Sequence, residues 1–237
     1  MVFGGLQKFT MLDYPDKAAC TLFTIGCNFR CPYCQNASLI NSSAKSQIIT
    51  EAETLDFLKT RKGLLDGVCI SGGEPLEHND EETQIQMVAF IAKVKAMGFL
   101  VKLDTNGSYP DKLERFISSG NIDYIAMDIK NSPQKYAQTI GLPDYDVSLI
   151  EKSINILHNS GISYEFRTTV VRDFHEYDDL LEIAKWISGA ERYFLQRFVD
   201  SGTVLKRGLR EYSDTELGQF VQKLKTFLSA VELRGTL

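Results

Sequence analysis

Short apolar or β-branched runs alternate with stretches of helical periodicity along the whole chain. After a preamble from Leu6 to Asp13 and a turn at Pro15-Asp16, Ala18 to Ile25 reads as the first strand. A cysteine-bearing loop and a Ser-rich connection, Asn41 to Ser46, follow. Thr50-Glu51-Ala52-Glu53 has the form of a capping box, in which hydroxyl and carboxylate each satisfy an end amide, so a helix opens there and runs towards Lys62. Val68 to Ser71 is the second strand, and Glu81 to Met97 a helix with Met87, Val88, Ile91 and Val94 on one face. Phe99 to Asp104 is the third strand. Pro110 starts a short helix carrying Leu113, Phe116 and Ile117, closed near Gly120. Tyr124 to Asp128 is the fourth strand; Ile150, Ile154 and Leu157 mark a helix capped by Gly161. Ser163 to Val171 is the fifth strand, and its helix buries Tyr177, Leu180, Leu181 and Ala184. Arg192 to Phe198 is the sixth. A second capping box, Ser213-Asp214-Thr215-Glu216, opens a last helix with Leu217, Phe220, Val221, Leu224 and Phe227 on its apolar face.

About six strand–helix units in succession imply an α/β fold of parallel strands joined by right-handed crossovers. Periodicity does not decide between an open sheet and a curled one. A full eight-fold barrel takes ~250 residues and two units more than are visible here. No repeat, low-complexity tract or linker interrupts the pattern, so residues 1–237 read as one domain: preamble 1–17, six-stranded core 18–198, and C-terminal helix region 199–237.

Composition narrows the setting. Hydrophobic content of 43% is ample for a core, and no apolar run approaches the ~20 residues of a membrane helix. The start, Met1 to Gly5, lacks the basic and apolar regions of a signal peptide. The expected location is cytoplasmic, with no membrane partner. A net charge of −5 argues against a nucleic-acid partner. The basic patches Lys59-Thr60-Arg61-Lys62 and Arg207 to Arg210 read as solvated helix ends or loops, with the capacity to meet an acidic surface.

The candidate chemistry centres on Gly26-Cys27-Asn28-Phe29-Arg30-Cys31-Pro32-Tyr33-Cys34, three thiols on one loop. Thiolates select zinc, copper(I) or iron–sulfur clusters, and clustered thiols in a reducing compartment point to metal rather than disulfides. Cys20 and Cys69 read as strand-core residues, leaving three local ligands. A structural zinc wants four, so a zinc loop would borrow a distant ligand, with His78 a candidate; the other histidines, His158 and His175, read as loop or helix-surface residues. Three thiolates on a four-iron cube leave one iron open to a reacting ligand. In α/β folds ligands sit at the C-terminal strand ends. There the pattern places the cysteine loop, Gly72-Gly73-Glu74-Pro75, Asp104-Thr105-Asn106-Gly107 and Asp128-Ile129-Lys130, with Arg167 and Gln196 in the fifth and sixth strands. Each could be a turn or a surface pair; converging on one mouth, they read as a site.

The C-x3-C-x2-C spacing with Tyr33 before the last cysteine resembles the radical S-adenosylmethionine (SAM) superfamily. That resemblance implies a partial (β/α)6 barrel, a [4Fe-4S] cluster on Cys27, Cys31 and Cys34, and Gly72, Gly73 and Glu74 against the SAM amino group. Asp-Thr-Asn-Gly and Asp-Ile-Lys resemble the glycyl-radical-enzyme activases typified by pyruvate formate-lyase activating enzyme. By that likeness Asp104, Thr105 and Asn106 line the SAM pocket with Gln196, Lys130 and Arg167 face the SAM carboxylate, and Tyr33 lies beside the adenine. Asp104, Thr105 and Asp128 would also hold a monovalent cation. Gly5-Leu6-Gln7-Lys8, Leu12-Asp13-Tyr14-Pro15 and Leu195-Gln196-Arg197-Phe198 are similar to the subgroup that activates anaerobic ribonucleoside-triphosphate reductase. Gln35 departs from the activases, many of which place His after the third cysteine.

The activity so implied is reductive cleavage of SAM to a 5′-deoxyadenosyl radical, which takes a glycine Cα hydrogen from a glycyl radical enzyme, here anaerobic ribonucleotide reductase. With no second cysteine cluster, an external flavodoxin or ferredoxin would bring the electron. The alternatives are a small-molecule radical SAM enzyme of carboxy-deazaguanine synthase type and a non-enzymatic zinc or iron–sulfur module.

Overall fold

The computed structural model describes residues 1–40, 48–77, 80–200 and 202–235, so the Ser-rich connection 41–46 and His78 lie outside the described residues. The chain forms two compact units. The first comprises Met1–Asn28, Ser38–Thr105 and Tyr109–Ile125; the second, Phe29–Ala37, Asn106–Ser108 and Ala126–Leu237.

The first unit holds β1 (Val2–Phe3), β2 (Gly5–Thr10), β3 (Ala19–Thr24), β4 (Ile49–Thr50), α1 (Glu51–Lys59), β5 (Gly67–Gly72), α2 (Glu81–Ala96), β6 (Leu100–Thr105) and α3 (Pro110–Ser118). The strand β7 (Tyr124–Asp128) starts in it and ends in the second unit. Strand β3 runs parallel to β5, with Thr21 opposite Cys69, and β5 runs parallel to β6, with Cys69 opposite Lys102. Buried residues follow one another along β3 and β5 instead of alternating, as parallel strands covered on both faces require. Cys20 and Cys69 are indeed buried core residues, the latter with Tyr14, Ala19 and Tyr124. The Thr50 capping box forms, but α1 stops at Lys59, where the Thr60 hydroxyl turns back to the Phe57 carbonyl at 2.7 Å. The preamble holds a strand that its pattern does not announce. Strand β2 pairs antiparallel with β3, Gly5 opposite Phe23, and its outer residues stay exposed, so no apolar alternation marks it.

The second unit continues with α4 (Tyr136–Thr139), α5 (Ser148–Asn159), β8 (Ser163–Val170), α6 (Tyr177–Trp186), β9 (Tyr193–Arg197), α7 (Asp214–Leu224) and β10 (Val231–Arg234). Strands β8, β9 and β10 are parallel neighbours, and the Ile129 N–H donates to the Arg167 carbonyl at 2.8 Å beside the end of β7. The apolar faces of α5, α6 and α7 bury Ile150, Ile154 and Leu157, then Leu180, Ile183 and Ala184, then Leu217, Val221 and Leu224.

Two expectations need correction here. Helix α7 ends before Phe227, which is 51% exposed, and Leu228 takes the buried place. The short run β10 is a further parallel strand within the expected C-terminal helix region, fastened where Arg234 forks onto the fully buried Glu165 at 2.6 and 2.9 Å and covers the Phe194 ring.

Candidate active-site residues

In the first unit Cys27 follows β3 on a loop pressed against the Gly72-Gly73 turn. A Cβ on Gly72, whose φ is +122°, would lie 2.2 Å from the Thr24 nitrogen. One on Gly73 would lie 1.8 Å from the Gly26 carbonyl oxygen and 3.4 Å from the Cys27 Cβ. The Gly73 N–H donates to Thr24 O at 3.1 Å and the Glu74 N–H to Gly26 O at 2.7 Å. Only glycine permits this backbone-on-backbone approach. The Glu74 carboxylate is buried and accepts from Thr105 Oγ1 at 2.8 Å and from the Leu76 N–H at 3.0 Å. Thr105 thus sets the carboxylate's direction. Asp104 is ion-paired with the fully buried Lys102, whose ammonium brings it one positive charge.

Tyr109 and Lys112, which the sequence reading passed over, belong to this neighbourhood. The Lys112 ammonium sits 4.2 Å over the Tyr109 ring and donates to Leu76 O at 2.9 Å. Burial, then the charges of Glu77, Glu74 and Cys27, pushes the Tyr109 phenol up to about 12. The signal for them was weak: an aromatic and a lysine on a short helix that an Asn-Gly-Ser turn brings back just after a strand end.

In the second unit Phe29–Ala37 is anchored at both ends. The Arg30 N–H donates to Ile140 O at 2.8 Å, and the Phe29 ring stands edge-on to Tyr145 with centroids 5.2 Å apart. Downstream, Pro32 O accepts from the Lys206 N–H at 2.9 Å, and Gln35 donates to Val199 O at 3.2 Å. Cys31 and Cys34 share one turn, closed by the Cys34 N–H on Cys31 O at 3.1 Å. Asp128 at the end of β7 accepts from Lys130 at 2.9 Å and from Arg167 Nε at 2.8 Å. Burial works against the charge on Asp128, but Arg167 and Lys130 outweigh it and hold the carboxyl far below its usual range. Burial likewise opposes the Lys130 charge, and Asp128, Cys31 and Tyr33 raise it well above an ordinary lysine.

The other predicted residues are engaged locally. Asn106 Oδ1 accepts from the Ser108 N–H at 2.9 Å, and Gln196 meets Thr169 Oγ1 at 3.5 Å. Tyr33 is buried, its hydroxyl 3.4 Å from Lys130 O and its ring packed on Phe174 and His175. His175 corrects the surface reading: it is fully buried with both ring nitrogens on main-chain atoms. His158, on α5, meets the Tyr164 hydroxyl at 2.8 Å.

None of the five cysteines is in a disulfide. Burial pushes Cys31 up to about 11 and raises Cys34, with Lys130 opposing in both. Three thiols on one loop are the soft donors that an iron–sulfur cluster takes, and binding such a group would deprotonate them. Among the described residues no group of three or more His, Cys, Asp or Glu is drawn close enough to hold a metal ion. No helix among the described residues is long and apolar enough to cross a membrane.

The family model for the radical SAM superfamily matches residues 21–187, most of the chain and every cysteine of the loop. The chain belongs to the radical SAM superfamily. A Methanocaldococcus jannaschii protein named "Putative glycyl-radical enzyme activating enzyme" is 32% identical over 198 residues, 82% of this chain and 78% of its own length. Among solved structures, a domain of pyruvate-formate lyase-activating enzyme from Bacteroides vulgatus superposes with a TM-score of 0.57 at 18% identity, covering 71% of this chain and 99% of that one. Streptococcus suis SuiB bound to S-adenosylmethionine gives 0.69 at 13% identity, over 89% of this chain and 48% of SuiB. The fold is therefore the radical SAM α/β fold, a mostly parallel sheet whose solved relatives carry a partial barrel. This radical SAM enzyme has the family's cofactors, a [4Fe-4S] cluster and SAM.

Proposed function

We propose that this enzyme is a glycyl-radical-enzyme activase whose target is anaerobic ribonucleotide reductase, working in the cytoplasm with a flavodoxin or ferredoxin as electron donor. In this reading Cys27, Cys31 and Cys34 hold the cluster, which when bound supplies the electron that splits SAM and so generates the radical that takes hydrogen from a glycine Cα. The chain's own residues do the placing. Glu74, its direction fixed by Thr105, receives the SAM ammonium as a charge-assisted hydrogen bond. Lys130 and Arg167 receive the SAM carboxylate, Arg167 offering a planar fork. Tyr33 would lie beside the adenine, and Asn106 and Gln196 would help to line the SAM pocket. Placement decides the rate because hydrogen transfer needs near-attack geometry.

The observation that carries the reading is Asp128 holding two cations, Lys130 and Arg167, one of which acts electrostatically on Cys31 and Cys34. Paired cations beside thiols suit an anionic group that approaches a thiolate-bound metal. The glycyl-radical step rests on the likeness to the M. jannaschii protein. Anaerobically reconstituted protein with SAM and dithionite should release 5′-deoxyadenosine, and Cys31→Ala should abolish release. Added anaerobic ribonucleotide reductase should then show a glycyl doublet by electron paramagnetic resonance. Unchanged release by Cys31→Ala overturns the cluster assignment; turnover of a small molecule with no doublet overturns the activase.

A further inference from the structure

His175 lies at the end of a tight turn after β8, where its N–H donates to Val171 O at 2.9 Å. Its ring is fully buried, and each nitrogen has a main-chain partner. Nδ1 lies 3.1 Å from the Val171 nitrogen and 3.2 Å from the Val171 carbonyl oxygen. Nε2 lies 2.8 Å from the Lys130 carbonyl, which can only accept, so Nε2 carries a proton and donates it there. Burial disfavours the imidazolium, so the ring is neutral with that one proton.

That carbonyl is a junction. Its second lone pair faces the Tyr33 hydroxyl at 3.4 Å, from the residue between Cys31 and Cys34. Its own residue sends an ammonium to Asp128, which holds Arg167. The turn bearing His175 is itself fixed: Asn131 Nδ2 donates to Phe174 O at 2.9 Å, and the Tyr212 hydroxyl to His175 O at 2.7 Å. A rigid turn therefore holds, through one imidazole N–H, the peptide from which Lys130 projects and the ring that seals the cysteine turn.

We infer that His175 is a positioning residue of the SAM pocket, acting through the Nε2–H bond to the Lys130 carbonyl. The inference rests on the proposed role of Lys130 towards SAM. The competing reading is a histidine that merely fills the core with its polar atoms satisfied. The two side-chain amides separate them. A Gln nitrogen reaches the place of Nε2, whereas an Asn amide reaches only the place of Nδ1. Each buries one amide, so the two share the general cost of replacing a core histidine.

The test is SAM affinity by equilibrium dialysis on anaerobically reconstituted parent, H175Q and H175N, with iron content and melting temperature as controls. The change that SAM causes in the resonance spectrum of the reduced cluster is the second readout. H175Q should bind within about threefold of the parent and keep the spectral change. H175N should bind about tenfold more weakly, the equivalent of one lost hydrogen bond, with a diminished spectral change at equal iron content. Equal affinities for H175Q and H175N overturn the inference, whether both match the parent or both fall. Failure of the parent itself to bind SAM overturns the proposed function, and the inference with it.

Discussion

Replacing Gly73 by Ala tests whether the approach of the Gly-Gly turn to the cysteine loop is a packing necessity. The new Cβ would lie 1.8 Å from the Gly26 oxygen and 2.6 Å from its carbonyl carbon, atoms of a backbone with no rotamer to change. Reaching 3.0 Å, below which real Cβ contacts essentially never fall, means moving one backbone by roughly 1.2 Å. Such a shift loosens the bonds from Gly73 N–H to Thr24 O and from Glu74 N–H to Gly26 O. Two weakened main-chain bonds at about 1 kcal/mol each, with an overpacking cost of about 1–3 kcal/mol, give about 3–5 kcal/mol. For a chain of this size that lowers the melting temperature by on the order of 10 °C. Gly63→Ala is the control, since Gly63 has φ +76° with nothing within 4 Å. It should cost only about 1 kcal/mol of backbone strain. Anaerobic melting curves and iron per chain after reconstitution measure both variants. Because Gly26 precedes Cys27, Gly73→Ala should also load less iron. A Gly73→Ala protein that melts and loads like the parent, or a Gly63→Ala protein that suffers equally, refutes the steric account.

Three further outcomes follow from the ion pairs. Arg234→Met should destabilise by about 3–5 kcal/mol, because it takes the guanidinium away from the fully buried Glu165 carboxylate, and adding Glu165→Gln should recover much of that loss in urea titrations. Arg172 and the Ser213 cap hold the Glu216 carboxyl down to about 2, below its ordinary 4.5. The folded state therefore binds fewer protons between these values, and the stabilisation is complete above pH 4.5 and lost as pH falls through about 2. The stability gap between the parent and Glu216→Gln should be flat above pH 4.5 and shrink in acid; a gap that widens in acid contradicts the pairing. Asp128→Asn removes the anion between Lys130 and Arg167. It should weaken SAM binding at least tenfold in dialysis, on the scale of a lost charge-assisted pair, and undiminished affinity would show that the two cations need no such brace.

What could be read ahead of the structure was what neighbouring residues decide. The capping boxes at Thr50 and Ser213 form because their partners lie three residues apart, and the Pro110 start and Gly161 stop are equally local. Strand ends carrying Gly72, Asp104 and Asp128 were legible for the same reason. What escaped depends on distant chain. Strand β2 is recognisable only through its partner β3, and the four residues of β10 are too few for a period to show. Phe227 misled because a period of 3.6 extrapolates past the point where the chain turns; its N–H already bonds to Leu224 O in that turn. His175 looked like a surface residue because its partners, Lys130 O and Tyr33, are far away in sequence. Tyr109 and Lys112 escaped likewise: a ring and an amine one helical turn apart signal nothing until Glu74 and Glu77 are seen beside them.

The fork between Glu165 and Arg234 joins residues 69 positions apart, and this sets an order of events at the ribosome. Until the segment after α7 emerges, Glu165 faces the growing interior as a carboxylate without its guanidinium, and β9 shows an open edge where β10 will lie. Loop-closure entropy makes that long-range contact a late one, so a nascent chain carries an exposed strand edge from the emergence of β9 until β10 follows it. Such an edge is a template for pairing with other chains, which makes that interval the one in which this protein depends most on chaperone cover.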